Sequence, residues 1–331
     1  MRGKLTSLQT PGNLETPDSC TLSSPPVFRF SGHQSFSLRI AWLPKAIAQL
    51  REGKDPLSDT DNGILLLGLG KNMVEALRCW IEAFQIAYRD AKGWQLTPIG
   101  EQVFGTNGLD PYMEDSCTPW TLHWLIASNR TDPFWAWECL FNRWAALEFS
   151  SAEVLSAFGR QAEFQGKTLS EVTLKQHWEV FLHTYRPPHS PKGEDHLDSA
   201  LSCLSLILDA GESYSASGTS EPRYRFNMAE KKTIPQQLFA FFLNDWWNVY
   251  HANEATVAFR DVIMSPYSPG RLLKMSEREI VARLQDLSRA KPEIYELTES
   301  SNLRQIRRVK SPPLLADFSE AYTSPRFLRS L

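Results

Sequence analysis

The chain has 331 residues, of which 42% are apolar, so it can bury a large core, and its length predicts two or three domains. Its formal net charge of −3 excludes a general attraction to polyanions, so nucleic-acid binding would depend on local patches. We find no apolar run near the roughly 20 residues of a membrane span and no apolar core of a signal peptide. These features predict a cytoplasmic protein with no membrane partner.

The five cysteines are scattered along the chain and contain no Cys-x-x-Cys pair; they are Cys20, Cys79, Cys117, Cys139 and Cys203. This pattern predicts free thiols in a reducing compartment. The histidines between positions 177 and 196 are spaced too loosely for a metal box. No zinc is therefore expected.

The chain begins with a leader, residues 1–27, which is rich in Ser, Thr and Pro and is predicted to be disordered. A first domain is predicted over residues 28–108. Its first helix is expected from about Leu38 to Glu52, with an apolar face formed by Ile40, Leu43, Ile47 and Leu50.

The stretch from Asn62 to Phe104 predicts a winged helix-turn-helix. A short apolar helix at residues 64–67 precedes a turn at residues 68–70 and a second helix from Lys71 to about Tyr88. A polar hairpin tip at residues 89–93, a strand at residues 94–97 and a helix at residues 99–104 complete the pattern.

Apolar residues at helical spacing predict the buried face of the second helix: Val74, Leu77, Ile81, Phe84 and Tyr88. The opposite arc carries Lys71, Asn72, Glu75, Arg78 and Glu82. In a helix-turn-helix, the part of this arc near the helix N-terminus enters the DNA major groove. A solvated charged face, or packing against a protein, is the alternative, and the two glutamates would repel phosphate.

Residues 109–186 are predicted to form an α-helical domain. Asp110-Pro111, Thr118-Pro119 and Asp132-Pro133 each resemble a helix start, with a capping side chain before a proline. The third start would open a helix from Phe134 to Leu147, followed by helices at about 151–159 and 168–185.

A Pro-rich linker is predicted at residues 187–198, and a C-terminal helical domain with a wing-like end at residues 199–310. Within that domain we expect a helix over residues 198–208, a loop over 211–220 and a strand over 223–226. Helices over 235–250 and 276–288 and strands over 294–298 and 303–309 complete it. Residues 311–331 are expected to be a tail. The fold class is thus mainly α with short β hairpins.

The wing-like end is locally basic, with ten Lys or Arg against six Asp or Glu between residues 271 and 310. Its candidates for phosphate contact are Arg304, Arg307, Arg308 and Lys310. A solvated charge run is the alternative interpretation.

Four segments together resemble a known family. They are Phe30-Ser31-Gly32-His33 with Phe36, Arg39, Trp42, Leu43 and Lys45; Leu69-Gly70-Lys71-Asn72-Met73-Val74 with Arg78 and Trp80; Asp110-Pro111-Tyr112 with Glu114 and Asp115; and Leu122-His123-Trp124-Leu125. The chain is similar in these segments to a prokaryotic domain family of formerly unknown function from DNA phosphorothioation gene clusters. That family includes the SspB-type nicking subunit.

The resemblance implies a DNA-binding component of a backbone sulfur-modification and defence system that nicks one strand for sulfur insertion. Its implied partners are DNA, a cysteine desulfurase, a sulfur-transfer enzyme and an ATPase. Glu75 and Cys79 depart from the family's usual pattern, so no base preference is carried over. A non-enzymatic adaptor that recruits the modification enzymes is the alternative, because the sequence contains no familiar nuclease motif.

The expected DNA contacts are Lys71, Asn72 and Arg78 on the helix and Lys92 on the wing. A phosphate site is also expected at Arg39 and His33, where Gly32 would let a ligand approach; the alternative is a structural role for His33.

A cutting centre is expected at Asp110, Glu114 and Asp115, because carboxylates hold the divalent ions, Mg or Mn, that activate water. His33 or His123 would carry the proton. Capping of a helix start, where acidic residues are favoured without any metal, is the alternative.

Overall fold

The computed structural model describes residues 27–187, 199–214, 220–299, 304–312 and 314–323. It confirms a mainly helical chain with short β structure. Its helices are α1 Trp42–Arg51, α2 Thr60–Leu67, α3 Lys71–Ala83, α4 Pro98–Phe104, α5 Cys117–Ala127, α6 Trp135–Trp137, α7 Ser151–Phe164, α8 Glu171–Tyr185, α9 Gln236–Tyr250, α10 Phe259–Met264, α11 Pro269–Leu272, α12 Glu277–Ala290 and α13 Leu314–Ala321.

Eight short strands form three small antiparallel sheets within the described residues. The strands are β1 Ala87–Asp90, β2 Gly93–Leu96, β3 Glu148–Ser150, β4 Ile207–Tyr214, β5 Ser220–Phe226, β6 Thr256–Ala258, β7 Tyr295–Glu299 and β8 Arg304–Arg308. β1 and β2 form a hairpin, β5 lies between β3 and β4, and β8 lies between β6 and β7.

Local capping explains the helix boundaries of the N-terminal part. The Asp59 side chain accepts a hydrogen bond from the Asn62 N–H and begins α2, which ends at Gly68 with φ +65°. Thr97 accepts from the Gly100 N–H, and Pro98 occupies the first helical position of α4. The predicted end of α2 before Gly68 and the predicted helix start at Thr97-Pro98 are confirmed, whereas α2 begins at Thr60 and not at the predicted Ile64.

Two predicted helices are too long. α1 begins at Trp42 and not at Leu38, because the Leu38 carbonyl accepts from the Ala200 N–H, and Ile40 is 36% exposed. α3 ends at Ala83, since Gln85 adopts φ +54° and turns the chain into β1, where Tyr88 lies.

The helix predicted over residues 134–147 is shorter and irregular. α6 continues as a π-helix, Glu138–Arg143, in which the Trp144 N–H donates to the Cys139 carbonyl at 2.7 Å. Trp144 is extended, so the helix ends before Leu147.

No helix begins at Pro111. The Asp110 side chain closes a turn instead, and α5 begins at Cys117, with Thr118 inside the helix. That predicted helix start is wrong, because the carboxylate satisfies turn N–H groups that a helix would have used.

The helix predicted over residues 198–208 is wrong over its described part, which is a 3₁₀ turn, Ser202–Leu204, followed by β4. Residues 211–214 of the predicted loop belong to β4. The leader to residue 26 and linker residues 188–198 lie outside the described residues.

The predicted tail contains α13, which packs on α9. The rings of Phe318 and Phe241 lie 5.0 Å apart between their centroids.

The buried apolar residues form one contiguous cluster from Phe28 to Tyr322, dominated by aromatic rings. Among the residues described, no helix is long and apolar enough to cross a membrane. The predicted domain boundaries stay predictions.

Candidate nucleic-acid interface

The N-terminus of α3 presents two exposed polar side chains, Lys71 and Asn72. Gly70 caps the helix without a side-chain hydrogen bond, and the first turn contains no acidic residue. The positive end of the helix dipole is therefore not neutralised by a neighbouring carboxylate, and it favours an anion at this point.

The β1–β2 hairpin places Lys92 at its exposed tip, where the Lys92 N–H donates to Asp90 Oδ1 at 2.7 Å. Arg89 is also exposed, and its cross-strand neighbour is Trp94 rather than an acidic residue. We call Lys71, Asn72, Arg89 and Lys92 the basic edge.

The remainder of the predicted α3 arc is only partly accessible to a ligand. Glu75 accepts a hydrogen bond from Gln34 Nε2 at 2.9 Å, so the N-terminal segment lies against this face. Arg78 is half-buried, and its Nε and Nη2 have no partner among the described residues. Residues 29–36 pack across the middle of the arc, so Glu75 and Arg78 are less accessible than Lys71 and Asn72.

The space in front of Gly32 is filled by protein. Gly32 has φ +116°, and a Cβ there would lie 2.6 Å from Arg29 Nη2 and 2.9 Å from Cys79 Sγ. Arg29 also pairs with Asp132, and burial raises the pKa of the Cys79 thiol to about 12. The glycine therefore allows close packing with Arg29 and Cys79, and it does not open a ligand site.

His33 is 1% exposed, and its ring lies edge to edge with that of His177, with the ring planes at 4° and His33 Nε2 2.9 Å from His177 Nδ1. The Gln34 carbonyl must accept from His33 Nδ1–H, and His177 Nε2 accepts from the Ala136 N–H. Both rings are thus neutral, with His177 Nδ1–H donating to His33 Nε2.

Burial lowers the pKa of His33 to about 4 and that of His177 well below its ordinary value. Since every ring nitrogen of this pair already has a partner, the structure does not support His33 as a proton carrier. His33 joins the N-terminal segment to α8, which agrees with the alternative that its role is structural.

His123 lies in a second buried chain of hydrogen bonds. Its Nε2–H donates to the Leu272 carbonyl at 3.0 Å, and its Nδ1 accepts from the Tyr185 hydroxyl at 2.8 Å, which accepts in turn from Trp137 Nε1–H. Burial lowers the pKa of His123 to about 3. This histidine is also unsuited to carry a proton to a substrate.

Arg39 lies between Phe36 and Trp42, with its guanidinium carbon 5.9 and 5.8 Å from their ring centroids. Its backbone forms a bridge with Ser199. The structure places Arg39 and His33 on one segment but gives His33 no exposed atom for a shared ligand.

The three carboxylates of the predicted cutting centre lie in different environments. Asp110 Oδ1 accepts from the Glu114 N–H, and Oδ2 accepts from the Asp115 N–H and the Thr118 hydroxyl. Burial raises the pKa of Asp110. Asp115 is buried and accepts from the Cys117 N–H, whereas Glu114 is exposed.

These three carboxylates do not fit a shared metal site, because both oxygens of Asp110 are already used by the turn that it closes. Within the described ranges, no group of three or more His, Cys, Asp or Glu side chains is arranged to hold a metal ion. The geometry matches the capping alternative at Asp110.

The C-terminal arginines do not form one basic face. Arg304 and Arg308 lie on the β8 side that carries buried Ile306, and Arg307 lies on the other side. Arg307 pairs with Glu296 at 3.3 Å, and Arg308 donates to Asn248. Lys310 is exposed beyond the strand. The prediction of a single phosphate-binding face is wrong, because strand alternation divides the arginines.

Sequence reasoning missed Arg29 and His177, which hold the N-terminal segment on α3 and α8. Their partners are 50 and 144 residues away along the chain, at Cys79 and His33. No local pattern could have paired them, since each contact depends on tertiary packing.

A family model described as "Protein of unknown function (DUF4007)" matches residues 30–320. The chain belongs to this family. No curated protein sequence matches it. Two solved structures, described as "Magnesium ion-bound SspB crystal structure" and "SspB crystal structure", share its fold with TM-scores of 0.74 and 0.73. Their sequence identities to this chain are 22% and 23%, over 90% of this chain and 89% of theirs.

The resemblance found in four sequence segments is therefore confirmed at the level of family and fold. At these identities the likeness concerns the fold alone.

Proposed function

We propose that this protein is the DNA-binding component of a DNA phosphorothioation system and that it nicks one strand for sulfur insertion. The observation that carries the proposal is the basic edge, on a chain whose fold resembles SspB over nine-tenths of its length. In this role it would act with a cysteine desulfurase, a sulfur-transfer enzyme and an ATPase.

We propose further that α1 to α4 with the β1–β2 hairpin act as a winged helix-turn-helix. In this arrangement the first turn of α3 enters a groove or meets a phosphate, and the hairpin tip reaches the neighbouring backbone. Lys71, Asn72 and Lys92 provide the contacts. Arg78 supports the same surface from its half-buried position.

Replacing Lys71 and Lys92 with alanine tests DNA binding. Each lost phosphate contact should lower the salt slope of the binding constant by about one unit, and the double variant should bind a duplex roughly tenfold more weakly. Fluorescence anisotropy titrations at several salt concentrations measure both quantities. Lys232→Ala, an exposed lysine outside the basic edge, is the matched control.

Unchanged affinity and unchanged salt slope in the double variant would remove α3 and the hairpin from the DNA interface. An equal loss in Lys232→Ala would show that only overall charge matters.

Nicking is tested by incubating the purified protein with supercoiled plasmid in Mg²⁺ or Mn²⁺. The magnesium-bound state of one neighbouring structure supports the choice of ions. Open circles are expected from a nickase, whereas retarded but intact plasmid would favour the alternative, a non-enzymatic adaptor that recruits the modification enzymes.

Of the three predicted carboxylates, Glu114 is the exposed one, so its part in nicking can be tested without breaking the hydrogen bonds of Asp110 and Asp115. Glu114→Gln should reduce nicking and leave duplex binding unchanged. Nicking at the rate of the unmodified protein would place the cutting residues elsewhere. Asp110→Asn is less informative, because it also breaks the turn before α5.

A further inference from the structure

A cavity of about 420 Å³ opens between the π-helix and α7, outside the basic edge. Its volume lies in the usual range for small-molecule sites. The residues that line it are mainly aromatic and basic: Trp135, Cys139, Arg143, Trp144, Arg160 and Phe164. Nothing in the proposed winged-helix contacts uses this cavity.

Two indole N–H groups in the cavity wall lack acceptors. Nε1 of Trp135 and Nε1 of Trp144 are both buried, and neither has a hydrogen-bond partner in the part of the chain that the structure describes. Trp135 is only 4% exposed. Both nitrogens are shielded from solvent, so a ligand in the cavity would meet these two residues through their apolar ring atoms.

The charge of the cavity is positive. Arg160 is exposed, and its Nη1 donates to Ser156, which is neutral. Arg143 donates from Nε to Glu138, yet its side chain stays 49% exposed, and its guanidinium carbon lies 5.1 Å from the Trp135 ring centroid. The cavity thus combines cations with flat apolar surfaces.

The rim carries an aromatic ring that folding alone does not explain. Phe164 lies at the last position of α7 and is 74% exposed. An exposed aromatic ring beside arginines suits stacking with a planar group, as at sites for single-stranded nucleic acid.

The π-helix shapes this wall. Its i to i+5 hydrogen bond joins Cys139 and Trp144, so these residues and Arg143 line one side of the cavity. Buried Lys274 donates from Nζ to the Leu140 and Phe141 carbonyls and so satisfies backbone groups of the widened turn. π-helices are frequent at functional sites, because they reposition side chains.

We propose that this cavity binds one unpaired nucleotide of single-stranded DNA, with its base stacked on the aromatic wall and its phosphate at Arg160 and Arg143. This inference rests on the proposed DNA function and adds a site for the strand that a nick or local melting releases. An acidic protein segment would meet the cations but would leave the flat wall without a planar partner.

The test compares a fluorescein-labelled oligothymidylate with a labelled duplex of the same length, using the full chain. Phe164→Ala and Arg160→Gln should each weaken oligothymidylate binding by roughly tenfold, as expected for loss of one stacking or phosphate contact. Trp144→Phe, which keeps an aromatic side chain but replaces the indole with a smaller phenyl ring, should weaken oligothymidylate binding by a smaller factor. Duplex binding should be unchanged in all three variants.

The matched controls are Val172→Ala, at an apolar residue with 75% exposure, and Arg278→Gln on the exposed side of α12. Both should bind oligothymidylate as the unmodified protein does. Excess thymidine monophosphate should compete with the oligothymidylate for the unmodified protein and not for Arg160→Gln.

Absence of oligothymidylate binding, with duplex binding intact, would overturn the inference and leave the proposed function standing. Oligothymidylate binding that is equal in the unmodified protein, Phe164→Ala and Arg160→Gln would place the strand elsewhere and would also overturn the inference. Loss of duplex binding in Lys71→Ala with Lys92→Ala, without change in oligothymidylate binding, would separate the two sites.

Discussion

The protein contains two helix–hairpin regions of similar order, α3 with β1–β2 and α12 with β7–β8, and they differ in how their charges are used. α3 begins with Lys71 and has no acidic residue in its first turn. α12 begins after the Ser276 cap with Glu277 and Glu279, which complement its dipole from within the chain. Only the first region leaves its helix N-terminus available to an outside anion.

The hairpins differ in the same way. In the first hairpin, Arg89 lies opposite Trp94, and Lys92 lies in the turn between the two strands. In the second hairpin, Arg304 lies opposite Glu299 and Arg307 lies opposite Glu296. The comparison shows that a count of basic residues does not identify a phosphate-binding surface, because pairing within the sheet can neutralise them.

The regions are also anchored differently. The segment across α3 is held by the neutral pair His33 and His177. The second region is held by charged groups, with Lys291 bonded to Asp317 and Arg308 placed over Trp247. Acid and salt should therefore act on the two regions in different ways.

The largest effect on stability is expected from loss of the neutral anchor, the His33–His177 pair. His33→Ala leaves a cavity beside Trp80 and removes the acceptor of His177 Nδ1–H, which should cost about 2–4 kcal/mol of unfolding free energy. Urea denaturation measures the change. His251→Ala, at a half-buried histidine paired with Glu254, should cost under about 1 kcal/mol. Equal midpoints for the two variants would show that the pair does not anchor the segment.

Acid should weaken the neutral anchor next. The folded-state pKa of His33 is lowered to about 4, so the unfolded chain binds the proton first as pH falls below about 6.5. The stability that depends on neutral His33 is therefore fully present above that pH. It is lost toward pH 4, at up to about 1.4 kcal/mol of unfolding free energy per pH unit for each such histidine. His33→Ala should show a shallower loss of stability in denaturation series across this window. A slope equal to that of the unmodified protein would contradict the assignment.

A smaller effect is expected from the charged anchor of the second region. Arg308 donates to Asn248 at 2.6 Å and lies 4.9 Å from the Trp247 ring centroid, at a half-buried position. Arg308→Ala should cost about 1 kcal/mol and leave duplex affinity unchanged. A thermal melt and an anisotropy titration check the two parts. Lower duplex affinity without lower stability would restore Arg308 as a DNA contact.

The smallest effect on stability is expected in the second hairpin, and it compares the two hairpins most directly. Arg304→Ala with Arg307→Ala should change stability by less than about 0.5 kcal/mol, because exposed ion pairs contribute little. Duplex affinity and its salt slope should stay unchanged, in contrast to the loss expected for Lys71→Ala with Lys92→Ala. A salt slope lowered by about two units would show that the second hairpin also contacts DNA.

Much of the secondary structure follows from the sequence alone. The start of α3 at Lys71, the long α9 and the strands β7 and β8 agree with local apolar periodicity and turn residues, which act within a few positions of the chain. The family resemblance likewise depends on short segments. The exposed basic edge was also predictable, since its lysines lie at a helix start and a hairpin tip.

Tertiary structure decided which hydrogen-bond partners the buried polar residues have. Asp110 precedes a proline and has the sequence of a helix cap, but its two oxygens close a turn and meet Thr118. The pairing of His33 with His177 joins positions 144 residues apart, so no local pattern contains it. A buried polar group must find a partner, and only the folded chain determines which partner is within reach.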